Sequence, residues 1–255
     1  YDPYLQVQAR LKHYLYLGYS PEKIEIIIIG GTFSALPLVY KENFITQVFK
    51  ALNDFPLRNL RESDLETEQK INETAKIRCV ALAVETKPEM TNEEEIKHML
   101  NYGVTRIEIG VQSVFDDVLK FNNRGHTVND VLTATKRLKD NAFKVDYHVM
   151  LNLPKSDIDK DRETINKIYT DDNFKPDALK IYPTLVIKGT ALYNMWKNKM
   201  YNPYPIEDVI NLIAEAEIKA PKWLRIMRVE RDIPSNLIEE GIKYPNIRQM
   251  VFEKI

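Results

Sequence analysis

A single cysteine, Cys79, among 255 residues is the tightest constraint in the sequence. One thiol excludes an internal disulfide framework and suits a reducing compartment, so a cytoplasmic location is expected. It also excludes an iron–sulfur cluster held by this chain alone, because such clusters take several thiolates. Long apolar runs are missing as well. The longest, 24–29, is interrupted by Glu25 and falls far short of the roughly 20 residues of a membrane helix, so it reads as a buried strand. The opening Tyr1-Asp2-Pro3-Tyr4 is neither basic nor followed by an apolar core, so no signal peptide is expected. Net charge is only −1, so bulk charge points to no nucleic acid. Cys79 and the four histidines show no metal-ligand spacing. The sequence has no Ser-His-Asp order, no G-x-S-x-G elbow, no phosphate loop, no internal repeat and no low-complexity tract.

What is present is ordinary globular composition, 44% hydrophobic and 29% charged, with alternating helix and strand patterns. Helices are expected at 4–18, 40–53, 92–102, 127–141, 157–169 and 206–219. Strands are expected at 23–29, 79–85, 104–110, 143–150, 178–182 and 224–229. Residues 54–76 are polar and weakly periodic, predicting loops with a short helix. Repeated αβ units with nearly continuous apolar strands predict an α/β fold with a parallel sheet covered on both faces. Each strand ends in polar or Gly-rich residues, the rim where barrels carry their chemistry.

Each strand-end motif has a plain structural reading beside a functional one. Gly30-Gly31-Thr32 lets backbone approach a ligand with no Cβ in the way, or it is a tight turn. Glu85, before Thr86-Lys87-Pro88, can accept from a ribose diol or an amine, or simply precede a helix. Glu108 and Gln112, on an apolar strand, need partners if buried. Arg124 can reach a carboxylate, Thr127 suits a helix N-cap, and His126 reads as a capping or core histidine. His148, at a strand end, is by itself more consistent with a satisfied core residue. Between Lys175 and Arg231 basic residues and aromatics interleave, the pairing a single-stranded nucleic acid needs. Glu207, Asp208, Glu215 and Glu217 dilute that patch, which favours a solvated surface.

Taken in order, these motifs resemble the radical S-adenosylmethionine superfamily, with a barrel like that of oxygen-independent coproporphyrinogen dehydrogenases. A closer resemblance is to the Elongator catalytic-subunit family of tRNA uridine(34) acetyltransferases. It rests on Tyr1-Asp2-Pro3-Tyr4-Leu5-Gln6, Gly30-Gly31-Thr32-Phe33, the run from Gly103 to Val114, and Asn123-Arg124-Gly125-His126-Thr127-Val128. Lys180 to Thr190 and Arg228 to Pro234 extend it.

The resemblance implies a partial (β/α)6-type radical S-adenosylmethionine barrel whose first strand and cluster loop are not in this chain. Residues 1–190 would form the barrel core, and 191–255 an extension leading towards an acetyltransferase domain absent here. It implies a [4Fe–4S] cluster that cleaves S-adenosylmethionine to a 5′-deoxyadenosyl radical. That radical takes hydrogen from the methyl group of acetyl-CoA, and the acetyl carbon adds to C5 of the wobble uridine. Hydrolysis then leaves carboxymethyluridine. By the same resemblance Gly30, Gly31, Thr32, Glu85, Gln112, Arg124 and His148 would contact S-adenosylmethionine, and Lys23 would contact acetyl-CoA. Lys180 and Tyr182 would be catalytic, and Lys188, Arg228 and Arg231 would meet the tRNA anticodon stem-loop. Further partners would be Elongator-type subunits or a second copy of the chain, with no membrane.

The chain departs from the family where cluster cysteines are expected upstream of Tyr1, and where a family cysteine is replaced by Thr91. Alone, it is therefore expected to be inactive. The alternatives are a tRNA-binding scaffold, or another radical enzyme acting on a small molecule. The Ile- and Lys-rich composition fits an archaeal or AT-rich source.

Overall fold

The computed structural model describes residues 2–57, 59 and 61–255. Two compact units divide the chain, one running to Thr86 and including Met90–Ile107, the other built from Lys87–Glu89 and Glu108–Ile255.

The first unit holds α1 (Pro3–Tyr16), β1 (Lys23–Ile28), α2 (Leu38–Asp54), α3 (Leu65–Asn72), β2 (Arg78–Thr86) and α4 (Glu93–Asn101). Helix α1 starts where the Asp2 carboxylate accepts the Leu5 N–H at 3.0 Å, with Pro3 in a first turn that needs no N–H. Leu11 of α1, Leu52 of α2 and Ile77 close a core against Val7, Ile24, Phe55 and Cys79. Truncating the fully buried Leu52 to Ala would cost about 2–5 kcal/mol by cavity formation. Strands β1 and β2 pair in parallel, Lys23 opposite Arg78 and Ile28 opposite Val84.

One expectation fails in this unit. The run 24–29 was expected to be buried, yet β1 alternates between exposed and half-buried residues, and Ile27 and Ile29 face solvent. β1 stands at one end of the strand order, so only β2 flanks it among the described residues. Hydrophobicity marks a strand, but it does not say whether that strand is central or at an edge.

Of β3 (Arg106–Gln112), the second unit holds the part from Glu108 on, followed by α5 (Asp116–Phe121), α6 (Val128–Asp140), β4 (Lys144–Leu151), α7 (Ile158–Thr170) and β5 (Ala178–Pro183). It continues with β6 (Val186–Ile187), α8 (Ala191–Lys197), α9 (Ile206–Lys219), β7 (Arg225–Arg228), β8 (Ile238–Glu240) and α10 (Ile247–Lys254). The sheet order here is β3, β4, β5, β7, with β5 parallel to both of its neighbours. β6 and β8 form a separate antiparallel pair. The predicted α/β class is therefore observed. Helices α5, α8 and α10 and the β6–β8 pair were not anticipated.

The strands of this unit have two unlike faces. Ile107, Ile109 and Val111 of β3, Tyr147, Val149 and Leu151 of β4, and Leu179 and Ile181 of β5 are essentially sealed from water. Tyr147 shares a 2.5 Å hydrogen bond with Thr135 of α6, which marks this as the helix-covered face. Side chains alternate along a strand, so Glu108, Gly110, Gln112, His148, Met150, Lys180 and Tyr182 all lie on the other face. Thr127 caps α6, as expected, in a reciprocal box with Asp130. No helix among the described residues is long and apolar enough to cross a membrane.

Candidate active site

In the second unit, register decides which polar residues meet. His148 of β4 is paired with Lys180 of β5, which is paired in turn with Arg228 of β7. One layer further along, Met150 pairs with Tyr182. Glu108 of β3 completes the first layer. Its Oε2 accepts from His148 Nε2 at 2.8 Å and from Lys180 Nζ. Glu108 is wholly buried, and Lys180 is 5% exposed. An unpaired carboxylate would not stay ionised at such a place. Burial pushes the Glu108 carboxyl up, but the hydrogen bonds and charges of His148 and Lys180 outweigh it and hold the pKa at about 2. The His148 and Tyr182 rings lie perpendicular to each other, with centroids 5.5 Å apart.

The last turn of β3 forms a second cluster. Gln112 sits at φ 68, and its side chain folds back over Gly110 together with that of Arg124. A Cβ on Gly110 would lie 2.9 Å from Gln112 Nε2 and 3.1 Å from Arg124 Nη2, so only glycine leaves this space. Gln112 Oε1, Ser113 Oγ and Arg124 Nε are buried without a hydrogen-bond partner among the described residues. Buried polar atoms are nearly always paired, so three orphans at one strand end mark a place built for a ligand. Burial lowers the Arg124 pKa, and the charge of Glu89 opposes it. His126 is buried, with Nε2 3.3 Å from the Val111 carbonyl oxygen and Nδ1 3.5 Å from Glu89, the core histidine that was expected.

In the first unit the Gly30-Gly31 turn has φ values of 145° and 100°, which side-chain-bearing residues rarely adopt. The Gly30 N–H points to Glu85 Oε2 at 3.4 Å. Behind the turn, the hydroxyls of Ser34 and Thr86 are hydrogen-bonded to each other. Lys41, buried, donates to the Ser34 carbonyl at 3.2 Å and to Glu95 at 2.5 Å. Thr32 precedes the short 3-10 turn Phe33–Ala35.

The remaining predicted residues are dispersed. Lys23 is exposed at the first position of β1, while Lys188 and Arg231 are exposed in the second unit. Arg228 is half-buried and ion-paired with Asp232. From the sequence Glu108 reads as a polar strand residue and not as a member of the site. The alternation Glu108, Gly110, Gln112, matching His148 and Lys180 on neighbouring strands, was the available signal. Ser34, Lys41 and Glu95 carry no such pattern.

A parallel α/β sheet with polar residues gathered on one face at its strand ends has clear relatives. The radical SAM superfamily model matches residues 3–168, and a radical SAM C-terminal domain model matches 176–255. The chain belongs to the radical SAM superfamily. Within it, the chain is 46% identical over 253 residues to a tRNA uridine(34) acetyltransferase of Methanocaldococcus jannaschii, covering 99% of this chain and 46% of that protein. It is 40% identical over 255 residues to Elongator complex protein 3 of Bos taurus, again 46% of that protein. Among solved structures, Elp3 of Methanocaldococcus infernus with residues 1–46 deleted superposes with a TM-score of 0.94 at 46% identity, over 99% of this chain and 58% of that one. Coproporphyrinogen III oxidase of Escherichia coli, at 15% identity and a TM-score of 0.51, shares the fold over 84% of this chain and 46% of its own. The chain thus spans about half the length of the curated relatives it matches. The expected radical S-adenosylmethionine barrel portion and the family resemblance are both borne out.

Membership of the superfamily implies S-adenosylmethionine and a [4Fe–4S] cluster. Within the second unit, the orphaned atoms of Gln112, Ser113 and Arg124 fit a ligand that carries carboxylate and hydroxyl groups. The cluster does not fit the residues of this chain. Its one cysteine is a packing residue, and burial pushes the thiol up to about 11.

Proposed function

We propose that this chain is the radical S-adenosylmethionine portion of an enzyme that modifies wobble uridine 34 of tRNA, adding a carboxymethyl group derived from acetyl-CoA. The observation that carries this reading is similarity to tRNA uridine(34) acetyltransferases and Elongator complex protein 3 along the whole chain. S-adenosylmethionine, when bound, supplies the hydrogen-abstracting radical. Gly30, Gly31, Thr32 and Glu85 of the first unit, and Gln112, Arg124 and His148 of the second, are its proposed contacts. Backbone groups of the glycine turn and the Glu85 carboxylate suit an amine. Arg124 suits a carboxylate, to which a guanidinium donates in fork geometry.

Lys180 and Tyr182 are the proposed catalytic pair. The Lys180 ammonium has three N–H donors and gives one to Glu108, which leaves two for a carbonyl oxygen. Lys23 is the proposed acetyl-CoA contact, as a point charge for a carboxylate or phosphate. Lys188, Arg228 and Arg231 are proposed to meet phosphates of the anticodon stem-loop. Residues 1–190 would act as the barrel core and 191–255 as its extension. The protein is proposed to work in the cytoplasm, with Elongator-type subunits or a second copy as partners.

The test uses the full-length protein with its cluster reconstituted under reducing conditions. Formation of 5′-deoxyadenosine, and of carboxymethyluridine when tRNA and acetyl-CoA are added, is expected. A loaded protein that releases no 5′-deoxyadenosine would sink the radical reading. Release without tRNA modification would redirect it to a small-molecule substrate. Residues 1–255 alone are expected to yield neither product.

A further inference from the structure

We propose that Glu108 is a positioning residue, whose Oε2 alone fixes the ring tautomer of His148 and the place of the Lys180 ammonium. The inference rests on the reading of His148 and Lys180 as members of the reaction site. A carboxylate that stays ionised can only accept hydrogen bonds. The His148 nitrogen facing it at 2.8 Å, Nε2, therefore carries the hydrogen. Nδ1 is then left to present its lone pair or hold a proton, and the perpendicular Tyr182 ring packed beside the imidazole limits its rotation. On the other side the same oxygen takes one Lys180 donor.

The three side chains come from adjacent strands, all on the face opposite Tyr147, Val149 and Leu151. A fixed ring acceptor thus stands next to an ammonium with two donors left, the complement of a ligand that offers a carbonyl beside a donor group. Neither residue could hold this arrangement unaided. Lysine has four rotatable bonds, and an imidazole without a partner samples both tautomers. A buried carboxylate has a purely structural alternative, that of satisfying the sheet, and the two accounts differ in what they predict.

Histidine-selective 15N NMR of the full-length protein reads the tautomer without any substrate. His148→Asn assigns the signal by its disappearance. The wild-type ring is expected to show the Nε2–H form. Glu108→Gln keeps an oxygen acceptor and is expected to keep that form, while kcat for tRNA modification falls about tenfold through loss of the charged partner. Glu108→Ala is expected to release the ring into a mixture of tautomers. If the alanine variant does not fold, a cycle built on Glu108→Gln decides. Its kcat loss should largely vanish in a His148→Asn, Lys180→Met background. An unchanged ring signature in Glu108→Ala, or a glutamine effect undiminished in that background, overturns the proposal. Because the ring signature needs no tRNA, it tests Glu108 even if the substrate proves to be something else.

Discussion

The Tyr204 hydroxyl donates to Asp161 Oδ2 at 2.9 Å, tying the segment after α8 to the start of α7 across 43 residues of sequence. The same carboxylate accepts the Asn152 N–H at 2.6 Å and the Ser156 hydroxyl at 2.5 Å. Tyr201 reinforces the junction by donating to the Asn152 carbonyl at 2.9 Å. Asp161 is 2% exposed, and burial pushes its carboxyl up to about 6 despite these three donors.

The sign of the resulting pH dependence follows from linkage. A carboxyl raised in the folded state binds its proton more tightly there than in the unfolded chain. Its ionisation therefore weakens the fold above about pH 6, and the penalty disappears as pH falls through that value towards the ordinary carboxylate range. Asp161→Asn is expected to flatten this segment of the stability curve, as read by urea titrations between pH 4 and pH 7. It should also cost about 1–3 kcal/mol at every pH, since its NH2 group cannot accept. A curve of unchanged slope would remove Asp161 as the source.

Glu108 works in the opposite sense. Its pKa is depressed to about 2, so its contribution is fully present above the ordinary glutamate range and is lost as pH falls from about 4.5 towards 2. Lys180→Met leaves the buried carboxylate with one partner fewer and is expected to cost about 3–5 kcal/mol at pH 7. Acidification to pH 3 should narrow the gap between this variant and the wild type. Equal gaps at both pH values would contradict the pairing.

Gly110→Ala separates the site from the fold. The added methyl meets Gln112 Nε2 and Arg124 Nη2, the far ends of flexible side chains, which can swing away at little cost to stability. Calorimetric titration should show S-adenosylmethionine binding weakened about tenfold or more, a loss of about 1.4 kcal/mol, with little change in melting temperature. Unaltered affinity would show that Gln112 and Arg124 do not contact the ligand.

Cys79 should be inert. With its thiol pushed up to about 11, alkylation at pH 8 is expected to run about a hundredfold slower in the native protein than in the urea-unfolded chain. Cys79→Ala should leave iron content unchanged in the full-length protein after reconstitution, and iron analysis checks this directly.

Lys188 and Arg231 are exposed, whereas Arg228 already spends part of its charge on Asp232. Charge reversal at Lys188 and Arg231 is expected to weaken tRNA binding. It should also lower the salt slope of log K by about 0.7–0.9 for each phosphate contact removed. Equal slopes for variant and wild type would place the RNA elsewhere.

Much of this organisation could be read from the sequence because parallel strands are nearly continuous in apolar residues and long helices repeat their pattern several times. Strand β4 and helix α6 were legible for that reason. Helix α5, with six residues, and α8, which buries none of its seven, offer too few turns for periodicity to emerge. β6 is two residues long and pairs with β8 some fifty residues later, a link that no local pattern encodes. At the site, individual residues were legible as strand-end polar groups, but their convergence was not. That Glu108 serves both His148 and Lys180 depends on register between strands. Register is decided by how whole strands pack, and no single residue announces it.

The uncovered flank of β1 has a practical consequence. Its alternate backbone N–H and C=O groups face outward with Ile27 and Ile29 beside them, and nothing in the strand is charged beyond Lys23 and Glu25. A bare apolar strand margin is a template on which another extended chain can add. Handled in isolation at high concentration, residues 1–255 should assemble edge to edge into larger species, and a lysine introduced at Ile27 should keep them dispersed.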